Sequence, residues 1–307
     1  MEQHHIIADF STSDAWIILS PIDASIKRKI EAVGTPLKEW DISIYRGVLT
    51  GCNEAFIIDT AKRNEILSNC ESEEERQRTE ALIRPILRGR DIKRYSYDWA
   101  GLWLIYIPWH FPLHHDPSIQ GASEKAEQDF QEQYPAVYTH MLQYKDSLLK
   151  RNKAETGIRY EWYALQRWGA KYWEDFDKPK IIWKRVGSRL RFAYVNHSVL
   201  SLDSTCFATG ENIDFICCLL NSPMGHYLLK DSPQTGTGDL LISVQAIEPI
   251  KVPHLSGGEF VQLFSVLRDG FSISAKQETE LNDIIFDMYH LSSEERKYIL
   301  DNFNPLK

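Results

Sequence analysis

Asp91 and Lys93, in "RDIK", form the Asp-x-Lys pair that one large class of metal-dependent nucleases uses together with upstream acids. The pair lies among Arg88, Arg90 and Arg94, so Asp91 is expected to pair with neighbouring arginines rather than hold a cation. His110, His114 and His115, in "WHFPLHHDP", carry metal-ligating imidazoles. Such ligands work when two share one rigid face, and Pro112 and Pro117 deny a helix there, so no metal site is expected. The five cysteines form no C-x-x-C pair. Reduced thiols follow, rather than a disulfide framework or a zinc site, and Cys217 and Cys218 read as core residues. The sequence has no G-x-x-x-x-G-K-[ST] phosphate loop, no G-x-G-x-x-G fingerprint, no G-x-S-x-G elbow and no [DNS]-P-P-[YFW] tetrapeptide. "TGTGD" (235–239) is a lone G-x-G and reads as a loop. With no nucleophile and base in evidence, no catalytic residue is assigned, and a binding module is the better expectation than a self-sufficient enzyme.

Binding chemistry is easier to find. The 307 residues carry 35 Lys and Arg against 43 Asp and Glu, a net charge of -8, which by itself speaks against nucleic acid. The charges are unevenly spread. "RPILRGRDIKR" (84–94) supplies Arg88, Arg90 and Lys93, and "KPKIIWKRVGSRLR" (178–191) supplies Lys184, Arg185, Arg189 and Arg191 with no acid at all. Between them, residues 151–191 interleave Arg151, Arg159, Trp162, Gln166 and Arg167, which mixes phosphate-neutralising cations with flat rings. Gln166 and Arg167 are the candidates for base edges. The competing readings are solvated faces, a surface for an acidic protein partner, and a small nuclease built on Asp91 and Lys93.

These residues need elements to position them. An apolar run from Trp16 to Leu19 predicts a strand, and Ile22, Ile26 and Ile30 predict a helix over about 23–33, stopped by Gly34. "ISIYRGVLTGCNEAFIID" reads as two strands joined by a turn at Thr50-Gly51-Cys52-Asn53. Gly51 would allow positive φ there, and Asn53 would bond to nearby backbone. Ser72 and Glu75 have capping-box spacing for a helix that Pro85 interrupts. "LWLIYIPW" (102–109) predicts a strand buried on both sides. Residues 123–152 predict two helices separated by Pro135, the second striped by Val137, Met141, Tyr144 and Leu148. "KIIWKRV", "RFAYVN" and "STCFATG" predict successive strands. "NIDFICCLLNSPMGHYLLKDS" predicts a helix broken or restarted at Ser222-Pro223, and 239–253 a strand, a turn and a short strand. Two amphipathic helices close the chain, with Ile284, Ile285, Met288 and Leu291 as the stripe and Ser292 and Glu295 as a capping box. The fold class is therefore α+β, a mixed, strand-rich domain with inserted helices. The division expected is 1–256 for that domain and 257–307 for a C-terminal helical segment. The N-terminus has no secretory character and no stretch approaches about 18 apolar residues, so a cytoplasmic protein without membrane contact is expected.

The motifs as a set resemble a known family. "YRGVLTGCNEAFIIDTAKRNEIL" followed by "LIRPILRGRDIKRY" is similar to the opening of the TaqI-like C-terminal specificity domain of type IIG restriction–modification enzymes and related adenine-specific DNA methyltransferases. "WYALQR", "FICCLLNSPMGHYLL…IEPIKVP" and "ELNDIIFDMYHLSSEER" resemble its later segments, so the likeness runs from about residue 14 to 300. The resemblance implies a DNA-recognition fold that reads a short duplex sequence. It implies methyltransferase and nuclease domains in cis or in trans, since their catalytic segments are not among these residues. S-adenosylmethionine and magnesium would belong to those domains, with no cofactor in this chain, and the isolated chain would neither methylate nor cut DNA. Thr50, Gly51 and Asn53 are then expected to form a structural turn at the entry of the domain, with direct DNA contact by Thr50 or Asn53 as the alternative.

Overall fold

The computed structural model describes residues 19–255 and 273–305. The expected strand at 16–19, Leu19 apart, and the expected boundary at 256/257 lie outside them.

Two four-stranded sheets organise the chain. In the first, the order is Ile42–Arg46, Thr205–Gly210, Lys180–Lys184, Phe192–Val195, all antiparallel. Three of its strands are the runs "KIIWK", "FAYV" and "TCFATG", which the sequence predicts as strands. They are apolar throughout because both faces are covered. Ile182, Ala193, Val195 and Phe207 face one core, and Ile181, Trp183, Phe192, Cys206 and Ala208 face the other. The second sheet runs Ile57–Asp59, Leu102–Ile105, Ile83–Leu87, Leu200–Ser201, with the last pair parallel.

The first core lies between the sheets and beneath the helices Glu124–Gln133, Pro135–Leu142 and Lys145–Lys150. Pro135 opens the second of these, where its missing N–H costs nothing, and the stripe of Val137, Met141 and Leu148 is fully buried although the helix is interrupted at Gln143-Tyr144. The second core joins the helices Pro21–Val33, Ile213–Asn221 and Pro223–Leu228 to the terminal pair Ala275–Met288 and Ser293–Phe303. Ile285 and Leu291 are buried as expected. Leu281, Phe286 and Tyr289 complete that face, while Ile284 and Met288 are half-buried. The pair thus shares its core with Ile26, Leu220 and Met224.

Three expectations are corrected. Ile42–Arg46 and Ile57–Asp59 are not a hairpin, for they belong to different sheets. Between them Val48 bridges Leu202, Leu49 bridges Arg167, and a one-turn helix, Asn53–Phe56, redirects the chain. A local turn signal cannot report which sheet each flank joins. Pro85 does not interrupt a helix, because the helix Glu73–Leu82 ends earlier and Pro85 sits in a strand opposite Trp103. The turn expected within 239–253 is a short helix, Val244–Ile247. In addition, "LWLIYIPW" is a strand only over Leu102–Ile105 and is buried only from Leu104 to Pro108, while Leu102, Trp103 and Trp109 are half-exposed.

The Ser292–Glu295 capping box forms, and Glu295 does more than cap. Its carboxylate accepts from Lys29 Nζ at 2.5 Å, Ser25 Oγ at 2.7 Å and the Ser292 N–H at 2.7 Å, tying the last helix to the first. Burial works against its charge, but these bonds outweigh burial and bring the carboxyl from 4.5 down to about 2. A carboxyl depressed in the folded state stabilises fully above its unfolded pKa and loses that contribution as pH falls through the folded one. The melting temperature should therefore fall as pH drops from about 4.5 towards 2. In Glu295→Gln it should be lower at neutral pH and vary less over that window. Parallel acid dependence of the two proteins would remove Glu295 from the account.

Candidate nucleic-acid interface

The loop "RGRDI" after the strand Ile83–Leu87 and the segment 184–191 meet side by side. Asp91 closes the loop: buried, it accepts from the Arg88 backbone N–H at 2.8 Å and from the Arg88 guanidinium at 3.0 and 2.8 Å. The carboxylate is thus engaged by an arginine, as the sequence suggested. Gly89 lies against Lys184, where an added Cβ would come within 2.9 Å of Lys184 Cγ. The absent side chain lets the lysine stem cross the loop.

Three depressions follow one another across this junction. The first is lined by Asn53, Glu54, Arg88, Arg90 and Lys184, with others. The second shares Gly89, Arg90 and Lys184 with it and adds Arg189 and Arg191. The third shares Ser188, Arg189 and Arg191 and adds Arg94, His226 and Lys230. Shared walls make them one groove. Among the described residues lining it, Glu54 is the sole acid. Arg90, Lys184 and Arg189 are exposed and Arg191 is half-buried, and none of the four makes an ion pair with a described carboxylate.

Five of the sequence candidates therefore come together: Arg88, Arg90, Lys184, Arg189 and Arg191. Others do not line the groove. Lys93 pairs with Asp98 at 3.2 Å. Arg185 is half-buried, with its backbone bonded to Ser204 and Ile242. Arg159 is exposed but pairs with Glu155 at 2.9 Å and lies over the Trp109 ring. Trp162 is buried, its Nε1 donating to Glu127 Oε1 at 2.6 Å, and presents no face for stacking on a base.

Arg151 is also buried, and its role is structural. Its guanidinium donates to the carbonyls of Thr50, Trp162 (2.9 Å) and Ala164, between the rings of Phe56 and Tyr160. Burial pushes its pKa down to about 10, which leaves it charged at neutral pH. Basic and aromatic composition could not separate this clamp from an interface cation, because the turn it holds, at Thr50, lies 101 residues away in the chain.

The clamp holds the Thr50–Asn53 turn. Gly51 has φ +71°, as expected, and Thr50 Oγ1 donates to Asn53 Oδ1 at 2.6 Å, a side-chain partner where backbone was expected. Gln166 lies beside Gly51, and Arg167 is exposed next to it, its backbone paired with Leu49. The turn thus stands between Gln166 and the Asn53 end of the groove. A Cβ on Gly51 would fall 2.5 Å from Gln166 Oε1 and 2.9 Å from Arg151 Cδ. Adding the cost of left-handed backbone, Gly51→Ala should destabilise by about 1–3 kcal/mol. An unchanged melting temperature would show that the turn tolerates a side chain.

The histidines also separate. His110 donates its backbone N–H to buried Glu161 at 2.7 Å and places Nδ1 3.1 Å from the same carboxylate, whereas the His114 and His115 rings lie against each other with centroids 4.0 Å apart, tilted by 42°. Sequence reading did not assign Arg94, His226 or Lys230 to the site. They come from separate elements that only the folded chain brings to the groove. Among the described residues no helix is long and apolar enough to cross a membrane.

Residues 84–248, more than half of the chain, match the TaqI-like C-terminal specificity domain family. The Thr50–Asn53 turn and the terminal helices lie outside that match. Among solved structures the chain is similar to the type IIL restriction-modification enzyme MmeI in complex with DNA, at 12% identity and a TM-score of 0.53 over 88% of this chain and 36% of that one. It is also similar to the type IIG restriction endonuclease BpuSI, at 12% identity and a TM-score of 0.45 over 90% of this chain and 33% of that one. At 12% identity the likeness to MmeI is one of fold, and the chain spans about a third of the length of each enzyme. No curated protein matches the sequence.

Proposed function

The chain belongs to the TaqI-like C-terminal specificity domain family, and from that premise we propose that it recognises a short sequence in double-stranded DNA as the specificity part of a type II restriction–modification enzyme. The observation that carries the reading is the groove. On a protein of net charge -8, Arg90, Lys184, Arg189 and Arg191 line one continuous channel without a carboxylate partner among the described residues. That pattern neutralises a phosphate backbone and fixes the register of a duplex. Specificity is a separate task for side chains that reach base edges. Gln166 and Arg167, beside the clamped turn, are assigned to it.

The bound duplex would be presented to methyltransferase and nuclease domains in cis or in trans. Adenine methylation requires the base to leave the stack, and S-adenosylmethionine and magnesium belong with those domains. A cytoplasmic location follows from a DNA substrate in a restriction–modification system.

The test is selection from a random duplex library by the full chain. One short motif should be enriched. Gln166→Ala and Arg167→Ala should each cost about 1–3 kcal/mol on the selected site and leave random duplex unaffected. Recovery of unenriched sequences after repeated rounds would contradict a specificity role.

A further inference from the structure

The third depression is the largest, about 600 Å³, and is walled by the loop 188–191, the helix Pro223–Leu228 and the end of the terminal helix. We infer that it is a binding site for a phosphate ester of nucleotide size.

Charge comes first. Four cations line the cavity, and no acid does so among the described residues. Two are already balanced and fixed. Arg94 pairs with Glu278, donates Nε and Nη2 to the Asn221 carbonyl at 3.1 and 2.8 Å, and lies over the Tyr95 ring at 4.8 Å. Lys230 pairs with Asp231 at 2.6 Å and lies over the Tyr227 ring. Arg189 and Arg191 have no described carboxylate partner, so the cavity carries about two uncompensated positive charges, which matches a phosphate dianion.

A second observation is independent of charge. His226 lines the cavity, and its Nε2 is buried with no hydrogen-bond partner. A buried polar atom without a partner costs free energy, and a turn of the imidazole that brings Nε2 to the cavity would give it a phosphate oxygen as partner. Burial, reinforced by Arg94, pushes the imidazole down to about 4, so it is neutral in the free protein and a bound anion would raise it. Leu190, Leu240 and Phe303 give the cavity an apolar wall for a sugar or base, and the volume falls within the range of small-ligand pockets, about 300–1,000 Å³.

The competing account is that these cations serve the C-terminal end of the last helix, whose free carbonyls favour positive charge. That account predicts no ligand. A phosphate ester could come from a free nucleotide or from the backbone of a duplex flanking the recognised sequence. In the second case the inference rests on the DNA reading above and deepens it.

The experiment uses the full chain and, in its first arm, no DNA. Inorganic phosphate and adenosine 5′-monophosphate are titrated by calorimetry, and the histidine ring signals are followed by NMR. Saturable binding with one site per chain is expected, together with a shift of the His226 signals and an upward move of its titration. The double variant Arg189→Ala, Arg191→Ala should weaken binding about tenfold or more. Arg76→Ala, which removes a remote exposed cation, should not. In the second arm duplex DNA is added to the loaded protein. Displacement of the nucleotide assigns the site to a backbone phosphate, and retention assigns it to a free one. Absence of saturable binding by both probes, or binding equal in the double variant, overturns the inference and leaves the cations to the helix end. Either result would leave duplex binding through Arg90 and Lys184 to be judged separately.

Discussion

Arg151→Ala is expected to lower the melting temperature by about 6 °C. The substitution leaves the carbonyls of Thr50, Trp162 and Ala164 without the guanidinium and opens a void between Phe56 and Tyr160. Orphaned buried acceptors cost about 1 kcal/mol or more each, and the cavity adds to that. A loss of roughly 4 kcal/mol corresponds to about 6 °C in a chain of this size. Arg151→Met restores much of the volume and none of the donors, so it should recover only part of the loss. Scanning fluorimetry on the three proteins decides the point. A drop of a degree or two for Arg151→Ala would mean that the turn does not depend on this clamp. It would also return Arg151 to the list of cations available to a ligand.

The second large effect is on affinity. Replacing Arg90, Lys184, Arg189 and Arg191 together with Ala removes the unpaired cations of the groove. Each phosphate contact releases counterions, so losing four should reduce duplex affinity by roughly 10³-fold at about 0.1 M salt. The loss should be similar for selected and random duplexes, since phosphate contacts carry no sequence information. Stability should hold, because exposed cations away from special features contribute little. A loss confined to the selected sequence would mean that these residues read bases instead.

Much of this architecture was legible in the sequence, and the failures have common causes. The strands at 180–184, 192–195 and 205–210 could be read because their residues are apolar in unbroken runs and glycine or asparagine punctuates them. Pro135, Pro223 and the Ser292–Glu295 box marked helix starts by local chemistry alone. The hairpin expected at 42–59 failed because its two strands look outward to partners at 205–210 and 102–105. The groove divides along the same line. Arg88, Arg90, Lys184, Arg189 and Arg191 come together because two charge runs fold against each other at Gly89. Arg151 and Trp162 were assigned to the surface because nothing local distinguishes a buried cation or ring from an exposed one. Arg94, His226 and Lys230 were missed because the wall they share with residues 302–305 exists only in the folded chain.

The central claim is that the groove engages the phosphates of a duplex, and a salt titration tests it most directly. Binding of a labelled duplex is followed by fluorescence anisotropy from about 50 to 300 mM salt. Engagement of roughly six phosphates gives a log–log slope of about -5 for the native chain. The variant lacking Arg90, Lys184, Arg189 and Arg191 should flatten it by about 3.6 units, at 0.9 per contact. A slope near zero, or one that the fourfold substitution leaves unchanged, would contradict the account and make the basic groove a solvated face.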